Sequence, residues 1–84
     1  MSLDYHYVIE RPVAEHIVSL PRSRARQLIA FFEYLERNPD LSGQEWCMDE
    51  AGRRHEALIF GPVTLVFWTD HALREVRIVQ IIED

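Results

Sequence analysis

Residues 54–82 read RHEALIFGPVTLVFWTDHALREVRIVQII, and this stretch decides the fold. Arg54–Phe60 ends at Gly61-Pro62, a tight reversal. Val63–Thr69 follows, Asp70-His71-Ala72-Leu73 turns the chain again, and Glu75–Ile82 completes the run. β-Branched and aromatic residues dominate all three segments, so they are expected as strands of an antiparallel meander. Alternation places Val63, Leu65 and Phe67 on one face of the middle strand and Thr64, Val66 and Trp68 on the other. In the last strand it sets Val76, Ile78 and Ile82 against Val79 and Ile81. Two strands are thus apolar on both faces, and a single covering layer hides only one of them.

Upstream, Tyr5-His6-Tyr7-Val8-Ile9 is a short β-forming run with Tyr5, Tyr7 and Ile9 on one side. Pro12 suits the first turn of a helix, and Val13, Ile17 and Leu20 continue an apolar stripe that Pro21 ends. Ala25, Leu28, Ile29, Phe32 and Leu35 then mark the clearest helix, which stops at Asn38-Pro39. Only Leu20-Pro21 separates the two helices, which makes an antiparallel hairpin the expected arrangement. Asp40–Gly52 reads as an irregular connection pinned to the core by Trp46 and Met48. No weight falls on Met1-Ser2-Leu3, which resemble a cloning remnant. The expected class is a two-layer α+β fold, with an N-terminal strand, a helical hairpin and a three-stranded meander in one domain over residues 1–84.

Composition narrows the function classes. The 84 residues are 48% hydrophobic and 11% aromatic, which excludes disorder. No apolar run approaches the ~20 residues a bilayer requires, and the first residues carry no secretory signal. Cys47 is alone, so a disulfide scaffold and an intrachain zinc–thiolate cluster are excluded and the cytoplasm is the default compartment. Nine basic residues against fourteen acidic ones give a net charge of −5, which argues against a basic nucleic-acid binder. All nine are Arg, a pattern that suits either a GC-rich genome or bidentate phosphate and carboxylate contacts.

The second sheet face, carrying Val66, Trp68, Val79 and Ile81, is the first candidate site. An uncovered apolar patch on a small protein marks a partner surface, unless the Asp40–Gly52 connection or the C-terminal residues fold over it. Arg22, Arg24 and Arg26 form a second candidate, because positive charge at a helix start opposes its dipole and suits an acidic partner or phosphate. Neighbouring Glu residues would neutralise it. Arg53-Arg54-His55, entering a strand, could position a phosphodiester and supply an acid or base, with Arg54 and His55 as the catalytic candidates. His6, His16, His55 and His71 have no metal-binding spacing, and Gly43, Gly52 and Gly61 form no phosphate cradle, so neither metal nor cofactor is expected. Cys47 has no His close in sequence, and the serines sit in no nucleophile elbow. Asp49-Glu50 reads as a solvated loop.

The order of elements, with Tyr7-Val8-Ile9 before Ala14, Leu20-Pro21 before Arg24 and Arg26, Leu35-x-x-Asn38-Pro39, Val63-Thr64-Leu65-Val66-Phe67 and Val76 through Ile82, resembles the RelE/ParE superfamily of type II toxin–antitoxin toxins. That resemblance implies a small toxin, with plasmid stabilisation as one setting, wrapped and neutralised by a cognate antitoxin protein. RelE-like members cleave mRNA in the ribosomal A site, and ParE-like members inhibit DNA gyrase. Thr64 falls where RelE-like enzymes carry a strand Arg. His55 and Ala57 fall near their other basic positions, and Glu83-Asp84 replaces a basic or Tyr-bearing tail. The implied activity is therefore binding to a target, ParE-like, with no membrane partner. The alternatives are a ribosome-dependent mRNA endoribonuclease using Arg54 and His55, with Arg74 or Arg77, and a non-toxic toxin-derived binding module that forms a homodimer through its sheet.

Overall fold

The computed structural model describes residues 4–83, and for residue 60 the backbone alone. The readings of Met1-Ser2-Leu3 and of Asp84 lie outside the described residues. In chain order the elements are β1 (His6–Ile9), α1 (Arg11–Ser19), α2 (Arg22–Arg37), β2 (Glu45–Met48), β3 (Arg54–Phe60), β4 (Val63–Asp70) and β5 (Glu75–Glu83).

Proline punctuates the helical half. Pro12 lies in the first turn of α1, where its missing N–H costs no bond, and Pro21 stands at the N-cap of α2. Leu20 N–H closes α1 by donating to the Ile17 carbonyl. At the far end of α2 Asn38 donates its main-chain N–H to Leu35 O and its side-chain amide to Tyr34 O, satisfying two of the last carbonyls before Pro39. The apolar stripes bury Val13 from α1 and Leu28, Phe32 and Leu35 from α2 against one face of the sheet.

Five strands make one sheet in the order β1-β5-β4-β3-β2. The meander β3–β4–β5 is antiparallel, as the sequence implies. β1 runs parallel to β5, pairing Tyr7 with Val76 and Ile9 with Ile78. A parallel pair needs a crossover, and both helices lie within this one. Val63, Leu65, Phe67, Val76 and Ile78 complete the core from the sheet side, with Tyr5, Tyr7 and Ile9 packed beside them. Each such aliphatic or aromatic side chain removed from water contributes roughly 1.5–3 kcal/mol. On α2, Glu36 reaches over and accepts from Tyr7 N–H at 2.8 Å, occupying an outward donor of the β1 edge. Burial, with the carboxylates of Glu33 and Glu36 nearby, raises the Tyr7 pKa above its ordinary 10.0.

Three sequence expectations are corrected. First, Asp40–Gly52 is not wholly irregular, because Glu45–Met48 forms β2 against β3. The hairpin closes through Asp49 N–H to Arg53 O and Gly52 N–H to Asp49 O, with Gly52 at φ 80°, a left-handed position that glycine adopts without strain. Gln44 and Asp49 at its flanks and Glu45 as its first residue concealed a run of only four residues. Second, Trp46 and Met48 do not pin the connection, being 57% and 54% exposed. They lie on the outermost strand, at the edge opposite β1, and Leu41 packs against the core instead. Gly43 passes so close to β3 that a Cβ there would lie 2.3 Å from the Ala57 carbonyl oxygen.

Third, a β-bulge at Val79 reverses the phase of β5. Val66 pairs with Gln80 but Phe67 pairs with Ile78, which leaves Val79 unpaired. Ile81 therefore stands opposite Leu65 on the helix-covered face and packs on the core, while Ile82 stands opposite Thr64 on the other face. Simple alternation assigned these two residues the other way round. Among the described residues no helix is long and apolar enough to cross a membrane.

Candidate functional site

One side of the sheet carries the helices and the other is open. The residue 40–44 connection runs on the helix side, where Leu41 meets the core and Gly43 N–H donates to Glu56, opposite buried Phe67. The C-terminal end of β5 turns to the same side: Glu83 accepts from His16 Nε2 at 2.9 Å and pairs with Arg24. Nothing among the described residues folds over the open face. It retains Val66, Trp68 and Val79 of the four residues assigned to it, loses Ile81, and gains Ile82 and Ile59, which are 42% and 41% exposed.

The open face changes character along the strands. At one end Thr64 pairs with Ile59 on β3 and with Ile82 on β5, so three strands present an apolar row. Ala57, Val66 and Gln80 form the next row. Toward the other end lies half-buried Trp68, with the Arg53 guanidinium 4.7 Å and the Arg77 guanidinium 5.9 Å from the centroid of its ring. The His55 ring centroid is 6.3 Å from that of Trp68. Two cations near one indole are attracted by its negative ring face. A cleft of about 490 Å³ opens here, lined by Glu10, Arg53, His55, Trp68, Asp70, Arg77 and Val79. A hollow of about 740 Å³ adjoins it, sharing Arg53, Trp68 and Asp70 and reaching Pro39, Ser42 and Arg54.

Each guanidinium already has a carboxylate. Asp49 accepts from Arg53 Nε and from Arg53 N–H, both at 2.8 Å, and from Ala51 N–H at 2.9 Å. These bonds, led by the Arg53 main-chain N–H, hold the Asp49 carboxyl below its ordinary pKa of 3.8. Arg77 pairs with Glu75 at 2.7 Å. With Glu10 and Asp70 also lining the cleft, its two cations meet at least as many anions. A surface that holds nucleic acid needs uncompensated positive charge for the phosphates, and this cleft has none to spare.

Arg54 and His55 are not brought together. Neighbours on a strand point to opposite faces. Arg54 pairs with Glu56 on the helix side and lies 4.5 Å from the centroid of the Trp46 ring. His55 turns to the open face with 14% of its side chain exposed, and its Nδ1 is buried without a hydrogen-bond partner. Asp49 Oδ2 stands 3.9 Å from that nitrogen, beyond the reach of a carboxylate that orients a catalytic imidazole. Cys47 pairs with His55 across β2 and β3 and shares the open face, a proximity that chain distance concealed.

The basic helix start belongs to the other layer of the protein. Arg22, Arg24 and Arg26 are all exposed on the first turns of α2, and Arg24 is neutralised by Glu83, from the far end of the chain. Sequence reasoning passed over Asp49, taken as a loop acid, and it placed Arg53 in the basic cluster without naming it a catalytic candidate. The Trp46-Cys47-Met48 run followed by Asp49-x-x-Gly52 was the available hairpin signal. Among the described residues no group of three His, Cys, Asp or Glu side chains could hold a metal ion.

Two solved structures share this architecture. A chain of the toxin–antitoxin complex RelBE2 from Mycobacterium tuberculosis aligns with a TM-score of 0.77 at 17% identity, over 96% of this chain and 99% of that one. A chain of the archaeal RelE–RelB complex from Pyrococcus horikoshii OT3 aligns with a TM-score of 0.75 at 16% identity, over 95% of this chain and 94% of that one. The sequence itself matches no family model and no curated protein. The chain has the RelE-type fold.

Proposed function

We propose that this chain is the toxin component of a toxin–antitoxin pair, neutralised by a cognate antitoxin, and that it acts by binding its target rather than by cutting RNA. The fold, shared over nearly the whole length with chains of two toxin–antitoxin complexes, supports the toxin assignment. The row Ile59–Thr64–Ile82 carries the binding reading. It offers aliphatic surface at the place where the resemblance puts an arginine, and the Trp68 cleft beyond it has its cations cancelled. Preorganised groups that stabilise developing charge commonly supply most of the rate enhancement in such catalysis, and removing one costs ~2.7–4 kcal/mol.

The test is expression in a bacterial host with and without any small protein encoded beside this gene. Growth arrest relieved by that neighbour, inhibition of gyrase supercoiling by the purified chain, and intact mRNA on programmed ribosomes are the expected results. Efficient A-site cleavage would overturn the binding mechanism, and unimpaired growth would point to a non-toxic binding module.

The second reading, a ribosome-dependent endoribonuclease, is favoured by one observation: His55 and Arg77 stand on the same face beside Trp68. Cleavage that disappears in both His55→Ala and Arg77→Ala would select it.

A further inference from the structure

The sheet is continuous at one end and split at the other. β3 pairs with β4 from Phe60–Val63 to Glu56–Phe67, and among the described residues the pairing stops there. β4 runs on in register with β5 as far as the pair Asp70–Glu75. β3 begins two residues before Glu56, and there its partner is β2: Met48 pairs with Arg54 and Cys47 with His55. Beyond Phe67 the sheet is therefore two ribbons, β4–β5 and β2–β3.

The end of the β2–β3 ribbon is braced within itself. Asp49 N–H donates to Arg53 O, and the Asp49 carboxylate accepts from Arg53 Nε, Arg53 N–H and Ala51 N–H. The Arg54 guanidinium lies 4.5 Å from the centroid of the Trp46 ring. Contacts of this kind join the ribbon to itself, so its end moves as one body. Where the split starts, Glu56 is fixed by accepting from Gly43 N–H at 2.8 Å.

What crosses the split is of another kind. The Arg53 guanidinium stands 4.7 Å and the His55 ring 6.3 Å from the centroid of one indole, that of Trp68. Attraction between a half-exposed cation and a ring is weak beside a ladder of hydrogen bonds. Closure also carries a penalty, because His55 Nδ1 is buried without a hydrogen-bond partner and opening returns it to water. Space lies on both sides of the contact. The cleft of about 490 Å³ and the hollow of about 740 Å³ are both lined by Arg53, Trp68 and Asp70, so these side chains form part of the wall between them.

We propose that residues 47–55 form a flap hinged at the Trp46–Glu56 pair and latched over Trp68 by Arg53 and His55. Its opening bares the indole and joins the cleft to the hollow through the split in the sheet. On the reading that the open face meets the target, the flap sets access to the largest side chain of that face. The measurement needs no target or antitoxin, so its failure leaves the toxin reading standing.

Hinge motions of this size fall in the microsecond-to-millisecond range, which NMR relaxation dispersion reads. In the full chain the amides of residues 53–55 and the Trp68 indole N–H should exchange with one common rate, while Leu58, Leu65 and β1 stay silent. Arg53→Gln removes the cation of the latch and should raise the ratio of open to closed flap about two- to fivefold. In a Trp46→Phe background, which leaves Trp68 as the one indole, the same substitution should make acrylamide quenching more efficient. Arg77→Gln removes the other cation near Trp68 without touching the split, and should leave the flap rate unchanged. Flat dispersion together with unaltered quenching in Arg53→Gln would overturn the proposal. So would unrelated rates from residue to residue, which mark fraying, exchange that spreads to Leu58 and Leu65, which marks unfolding of the sheet, or exchange that grows with protein concentration, which marks self-association.

Discussion

Arg53 places its guanidinium 4.7 Å from the centroid of the Trp68 ring while its Nε donates to Asp49 at 2.8 Å. The indole is thereby held on the open face of the sheet by a residue of the neighbouring hairpin, with Val66 and Val79 beside it. It is the largest side chain on that face. Trp68→Asp should weaken the complex with a co-encoded partner by at least tenfold in calorimetric titration and leave the circular dichroism spectrum unchanged. An unaltered affinity would remove Trp68 from the contact surface.

The bulge at Val79 makes adjacent isoleucines unequal. Ile81→Asp sets a carboxylate against the core and should destabilise the fold by several kcal/mol, enough to unfold a domain of this size near neutral pH. Ile82→Asp, on the open face, should cost no more than ~1 kcal/mol. Urea denaturation of the two variants distinguishes the bulged register from simple alternation, which gives the opposite order.

Gly43 runs against the β3 backbone. A methyl group there would lie 2.3 Å from the Ala57 carbonyl oxygen, and backbone cannot move aside as a flexible side chain does. Gly43→Ala should lower stability by ~1–3 kcal/mol, measured by thermal or urea unfolding. The loss should be accompanied by faster exchange of the Glu45 and Cys47 amides as β2 lifts from its partner.

Asp49 organises the hairpin that carries Arg53. Its pKa is lowered by folding, so its contribution is complete above 3.8 and is lost as pH falls through the lower folded value. The amide resonances of Ala51 and Arg53 should therefore move together in an NMR titration, with a midpoint below 3.8. Asp49→Asn should flatten the transition and loosen Arg53 from Trp68, read as a change in indole fluorescence.

Elements that depend on local pattern were legible in the chain alone. Prolines 12, 21 and 39 and the spacing of Leu28, Phe32 and Leu35 set the helices. Alternation from Arg54 to Phe67 set two strands and the existence of an apolar face that the helices do not cover. Long-range pairing settled what local pattern does not encode. A bulge adds one residue with no change of composition, so only pairing with β4 revealed that Ile81 turns inward and Ile82 outward. β2 is too short to announce itself, three apolar residues between polar neighbours, and it exists because β3 offers it a ladder. Arg54 and His55 are adjacent in the chain yet separated by the thickness of the sheet, whereas Arg53, Trp68 and Arg77 meet because three segments bring them to one end of one face. Side-chain direction alternates over a single residue, while a site is assembled across strands, and that difference in length scale is why the fold was more legible than the site.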